Sequence, residues 1–131
     1  METMKMLETF IVFGKGNEIT RAANRHLKDV CLLSFFYLDN PDLTHPDHWE
    51  IHPDGDELLL VTEGALDVEI VLQAGDMEEG VPHNPAVKKV TVSGGESLIV
   101  KKGHWHRVIL REETNLVVAG VRGNSRLAPV I

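Results

Sequence analysis

His48-Trp49-Glu50-Ile51-His52, followed after a turn by Glu57 and after an apolar run by Gly64, gathers metal-type side chains on one short β-strand and the strand after it. Side chains two apart on a strand point to the same face. His48, Glu50 and His52 therefore share one face, and Trp49 and Ile51 the other. Glu57 opens Leu58-Leu59-Leu60-Val61 and returns to the same spot. Further along, Gly103-His104-Trp105-His106 forms a second cluster. Imidazoles and carboxylates converging on one point are what a divalent metal needs.

The pattern outside this stretch is β from residue 31 onward. Strands are expected near 31–39, 48–52, 57–62, 65–72, 87–93, 97–101, 105–111 and 115–121. Turn-forming segments such as Asp39-Asn40-Pro41-Asp42, Pro53-Asp54-Gly55-Asp56 and Ser93-Gly94-Gly95-Glu96 separate them. The stretch 75–85 is the longest irregular one. Many short strands in one small domain spanning 1–131 predict an all-β sandwich or barrel, and nothing resembles a βαβ unit. Leu66, Val68, Ile70 and Leu72 face one side and Asp67 and Glu69 the other, as in a half-buried antiparallel strand. Leu58–Val61 and Leu116–Ala119 are apolar on both faces. They predict central strands, or strands covered by a partner chain, with Phe10-Ile11-Val12-Phe13 as a cover swapped between subunits of a dimer. One helix is expected over 17–29, where Ile19, Ala22, Ala23, His26, Leu27 and Val30 have helical spacing.

Composition excludes several classes. A formal charge of −7 gives no basic footprint for nucleic acid and no attraction to anionic membranes. Cys31 is the single cysteine, so an internal disulfide is impossible, and it sits in an apolar run where a buried structural thiol is expected. No apolar stretch reaches membrane-spanning length and no signal-type segment opens the chain, so a cytoplasmic setting is the default expectation. There is no G-x-S-x-G elbow, no P-loop and no dinucleotide fingerprint.

Two motifs resemble those of the cupin superfamily. The first is usually G-x5-H-x-H-x3,4-E-x6-G, and here reads Glu50-x-His52-x4-Glu57-x6-Gly64. The second is usually G-x5-P-x-G-x2-H-x3-N, and here reads Gly95-x5-Lys101-x-Gly103-x2-His106. The resemblance implies a double-stranded β-helix, or jelly-roll barrel, with motif 1 at about 48–64 and motif 2 at about 95–110. It also implies a metal set of Glu50, His52, Glu57 and His106, holding one divalent transition metal (Mn, Fe, Zn or Ni). Glu50 stands in place of the first histidine, which adds a negative charge and an oxygen donor. The opening glycine and closing asparagine are absent, and Lys101 replaces the proline.

Chains of this kind resemble metal-dependent dioxygenases and isomerases acting on a small organic acid or sugar, with Glu50 as the candidate general base. Two other classes stay open: a non-catalytic small-molecule-binding or sensor module, and a metal-independent sugar isomerase or epimerase. The last needs an acid such as Tyr37 in the cavity. Without metal, His52, Glu57 and His106 would form a hydrogen-bonded polar cluster instead. His48 is expected at the rim, contacting substrate. His104 is expected on the surface, and His45 and His83 in exposed loops. Trp49 and Trp105 are expected on the outer face, at a subunit contact of a homodimer. Asp54 and Asp56 are expected to shape the turn before Glu57.

Overall fold

Alternating apolar and polar residues, rich in Val, Leu and Ile, fold here into eleven strands; the computed structural model describes residues 1–73 and 81–130. The strands are β1 (Phe10–Phe13), β2 (Ile19–Ala22), β3 (Cys31–Leu38), β4 (His48–Ile51), β5 (Glu57–Glu63), β6 (Ala65–Val71), β7 (Val87–Ser93), β8 (Glu96–Val100), β9 (His106–Leu110), β10 (Thr114–Val121) and β11 (Arg126–Pro129). They form a six-stranded sheet, β2-β1-β3-β10-β5-β8, and a five-stranded sheet, β11-β4-β9-β6-β7, with every pairing antiparallel.

The eight expected strands are present, each within a residue or so of its expected bounds. Of the irregular stretch 75–85, residues 75–80 lie outside the described residues and 81–85 carry no strand. Alternation holds on β6: Leu66 and Val68 are fully buried in the core, and Asp67 and Glu69 face outward into ion pairs.

Three expectations are corrected. The segment 17–29 is not a helix. Gly14-Lys15-Gly16-Asn17 makes a tight hairpin loop, with Asn17 at φ 65 and Gly14 N–H donating to the Glu18 carbonyl. That loop folds Ile19–Ala22 back onto β1, because sheet pairing satisfies backbone groups that a short polar helix would leave to water. Phe10–Phe13 is not a swapped cover. It pairs with β3 and β2 of its own chain. Trp49 and Trp105 are not at a subunit surface either. They are 3% and 4% exposed, packed with Ile51, Val71 and Ala128 in a satellite core behind the five-stranded sheet. Besides β1 and β2, one further strand was not expected: β11, a short edge strand ending in a proline, a residue tolerated at edges.

The main core lies between the sheets and includes Leu59, Val61, Leu66, Val68, Val92 and Leu116. Each such burial contributes about 1.5–3 kcal/mol before entropy is counted. The core fills one end of the space. At the other end the inward positions turn polar: Glu57 precedes Leu59 and Val61 on β5, and Glu50 faces His106 across β4 and β9. The two outer faces differ. That of the five-stranded sheet carries a ladder of ion pairs, Glu69–Arg107 at 2.7 Å and Asp67 with Lys89 and Arg111 at 3.3 Å each. That of the six-stranded sheet is apolar, with Leu33, Phe35, Leu58, Leu60 and Val117 half-buried and Ile99 57% exposed.

Candidate metal centre

Three strands and one loop bring the donors together. Glu50 is an inward residue of β4, and His52 follows it two positions on, beyond the strand's end. Glu57 begins β5 and His106 begins β9, directly opposite Glu50. The two motifs are clamped by the turn at Lys101–Gly103. Its Lys102 N–H donates to Asp56 Oδ1 (2.9 Å), and Gly103 N–H donates to the His52 carbonyl (3.0 Å). Lys101 Nζ reaches Asp56 Oδ2 at 2.9 Å. Asp56 thus braces the neighbouring turn rather than its own, and Asp54 does the same by accepting from Asn124 N–H at 2.6 Å.

One ligand atom from each of Glu50, His52, Glu57 and His106 lies within 4.8 Å of all the others. His52 Nε2 is 2.7 Å from Glu50 Oε1 and 2.8 Å from Glu57 Oε2, and His106 Nε2 is 3.2 Å from Glu57 Oε1. His52, Glu57 and His106 are nearly closed off, at 6%, 12% and 3% side-chain exposure, while Glu50 is at 31% and opens to the cavity.

The outward nitrogens fix the tautomers. Ser125 Oγ donates to the Arg122 carbonyl, so towards His52 Nδ1, 2.6 Å away, it accepts. His106 Nδ1 faces the His104 carbonyl at 3.1 Å, which can only accept. Both Nδ1 atoms therefore carry hydrogen, and both Nε2 atoms point at carboxylates. His52 Nε2 is buried, and although two carboxylate oxygens crowd it, neither lies along the ring N–H direction as a hydrogen bond requires.

The electrostatics follow from that crowding. Burial works against charge on His52, but Glu50 and Glu57 together outweigh it and lift the imidazole to about 9. Burial works to raise Glu57, but His106 and His52 outweigh it and hold the carboxyl at about 2. Glu50 is likewise kept below its ordinary value: burial is overcome by His52. Two imidazole nitrogens and two carboxylate oxygens, with no sulfur, are a donor set for Mn, Fe, Zn or Ni.

Glu50, Glu57 and His106 form part of the wall of a cavity of about 320 Å³, whose other walls include Ser34, Phe36, Leu59 and Val118. His48 lines its mouth, half-exposed, with Nδ1 3.0 Å from Asp47 Oδ1. His45 and His83 are exposed, as expected. His104 is not a surface residue: its half-buried ring bonds the Val71 carbonyl at 2.9 Å, because Gly103 turns the chain back over β6. Cys31 is half-buried on the outer side of β3 rather than fully buried. Tyr37 lies on that same outer side, its hydroxyl donating to Glu113 Oε2 at 2.9 Å, so it does not supply an acid in the cavity.

Three residues that sequence spacing left unremarked also belong here: Arg25, Arg122 and Ser125. Arg122 was open to detection. Leu116, Val118 and Gly120 alternate inward on β10, and Arg122 continues that series past the strand's end. Arg25 was hidden by the helical spacing of 17–29.

No family model matches the sequence, and no curated protein does. Solved structures do. Hydroquinone 1,2-dioxygenase in complex with Cd2+ and 4-hydroxybenzonitrile is similar over 75% of this chain and 61% of its own, with 16% identity and a TM-score of 0.51. A cupin-2 domain containing protein from Shewanella frigidimarina NCIMB 400 matches over 70% of this chain and 71% of its own, with 20% identity and a TM-score of 0.47. The chain has the cupin fold. Both cupin motifs, in order, supply the donors at the open end of the barrel. The chain spans less than two thirds of the dioxygenase's length. No helix among its described residues is long and apolar enough to cross a membrane.

Proposed function

We propose that this cupin holds one divalent transition metal on Glu50, His52, Glu57 and His106 and acts as an enzyme on a small molecule in the adjoining cavity. One observation carries the reading. His52 Nε2 is a buried atom turned inward, pressed between two carboxylates and making no aligned hydrogen bond to either. A buried nitrogen in that position is costly unless a cation satisfies it and the carboxylates at once.

A bound divalent ion supplies Lewis-acid polarisation of a substrate oxygen. The protein's own groups do the rest. Ser125 and the His104 carbonyl orient the two imidazoles. Glu57, ionised and nearly closed off, ties both to one point. Glu50, ionised at neutral pH and open to the cavity, is the group placed to take a proton from a substrate there. His48 contacts substrate at the mouth. A homodimer is part of the proposal: the apolar outer face of the six-stranded sheet suits self-association and the ion-paired face of the other does not.

The test is elemental analysis of protein purified without chelator, wild type beside His106→Ala, with reloading by Mn, Fe, Zn or Ni. About one metal per chain, lost in the variant, is expected. Wild-type protein that takes up none of the four ions overturns the metal reading. The fold would then serve as a binding or sensor module, recognised by ligand-linked thermal stabilisation without turnover.

A further inference from the structure

The cavity that the donors line also carries cationic side chains. Arg25 and Arg122 line the same space as Glu50, Glu57 and His106. Arg25 follows β2, and its guanidinium carbon stands 5.8 Å from the centre of the Phe36 ring. Phe36 is an inward residue of β3, so the stacking holds the cation over the cavity. Arg122 enters from the end of β10, near enough for its charge to act on Arg25.

Arg126 also lines this space, with Nε and Nη2 buried and unpartnered and its guanidinium carbon 5.5 Å from the centre of the Trp105 ring, whereas the other arginines near the sheet are paired. On the outer face of the five-stranded sheet, Arg107 is bound to Glu69 and Arg111 to Asp67. Among the described residues, neither Arg25 nor Arg122 makes an ion pair or donates a side-chain hydrogen bond. Burial and the charge of Arg122 both lower the hold of Arg25 on its proton, against the opposing pull of Glu50. Two like charges facing one cavity repel each other, and an anion between them removes that penalty. With a divalent ion balancing Glu50 and Glu57, the two arginines leave the cavity net positive. The molecule as a whole is strongly acidic, with a formal charge of −7. Guanidinium groups bind oxyanions with paired, charge-assisted hydrogen bonds. A space of about 320 Å³ suits a compact molecule.

We propose that Arg25 and Arg122 form an oxyanion subsite that receives the acid group of a small organic acid, carboxylate or phosphonate, and aims the rest of the molecule at Glu50 and His106. What that remainder meets rests on the metal reading above; the arginine subsite itself does not.

The experiment is calorimetric titration of Mn(II)-loaded protein with succinate, methylphosphonate and the neutral succinamide. It uses wild type, Arg25→Gln, Arg122→Gln, the double variant and the two lysine variants. At least one of the acids should bind, with succinamide weaker by about tenfold or more. Each glutamine change should weaken the acid by about tenfold, the usual scale for one charge-assisted contact. Lysine should restore part of the loss. Manganese content and circular dichroism should stay as in wild type, which separates lost recognition from lost folding. Succinate alone or methylphosphonate alone assigns the carboxylate or the phosphonate. Acid and amide binding equally, neither acid binding, or the double variant binding like wild type overturns the proposal. Repeating the series without metal keeps the two questions apart. If none of Mn, Fe, Zn or Ni loads, the metal reading fails. Preference for acid over amide, and its dependence on the arginines, still decides the subsite.

Discussion

His52 sets the pH behaviour of the centre. Its folded value of about 9 stands above the ordinary 6.5, so its charge stabilises the metal-free fold fully below 6.5, and that stabilisation is lost as pH rises through about 9. Glu57 at about 2 stands below the ordinary 4.5, so its contribution is present above 4.5 and lost as pH falls through about 2. Thermal unfolding of metal-free protein should therefore show greatest stability between 4.5 and 6.5, with a decline towards 9. A metal needs His52 neutral, so binding near pH 7.5 should release about one proton and affinity should climb up to pH 9. Titration in two buffers of different ionisation enthalpy measures this; zero proton release would contradict the charge state assigned to His52. Ser125→Ala removes the acceptor that fixes the His52 tautomer and should cost about tenfold or more in metal affinity with little change in unfolding temperature. The convergence of Glu50, His52, Glu57 and His106 was legible in the sequence from strand alternation and the spacing of the two motifs. Ser125 was not, since its role depends on a loop folding back across the barrel, 73 positions away from His52.

Motif glycines separate by what surrounds them. Gly64 turns β5 into β6 at φ +99, and a Cβ there would sit 2.2 Å from the Glu113 carbonyl oxygen. Gly95 turns β7 into β8 at φ +88 with nothing within 4 Å. Both positions strain an L residue, but only the first also forces backbone apart. Gly64→Ala should cost clearly more than Gly95→Ala, which should stay near about 1–2 kcal/mol. Denaturant unfolding of the pair checks the order, and equal losses would mean that the Glu113 contact is easily relieved. The strands themselves were legible from period-two alternation and the turn residues between them. The error over 17–29 has a physical source. Its apolar residues are few enough to fit two periods, and the loop that settles the choice, Gly14-Lys15-Gly16-Asn17, lies at its start, where a turn does not show in apolar spacing. Lys101, where the cupin motif usually has proline, has a use of its own: it pairs with Asp56, although so exposed a contact adds little stability.

The whole molecule presents one ion-paired face and one apolar face, and only the second calls for a partner. Phe13→Lys together with Ile99→Lys places charge on exposed positions of the apolar sheet, 41% and 57% exposed, without touching the core. Light scattering should show wild type as a dimer and the double variant as a folded monomer. Wild type running as a monomer at high concentration would remove the dimer from the proposal. The sheet order needed the structure, because a run such as Leu58–Val61 says that both faces are apolar without saying what covers the outer one. Within the barrel, β5 carries closely packed Leu59 and Val61 along one part of its length and the crowded Glu57 at its start. β10 repeats the arrangement, from Leu116 to Gly120 beside Glu57. A single strand is thus anchored at one end and electrostatically loaded at the other. Amide exchange along it should be uneven in the metal-free molecule, slow where the leucines and valines interlock and fast beside the donors. Filling the centre should flatten that gradient from one end only, so that occupancy is written into the backbone as a difference between neighbouring residues of the same strand.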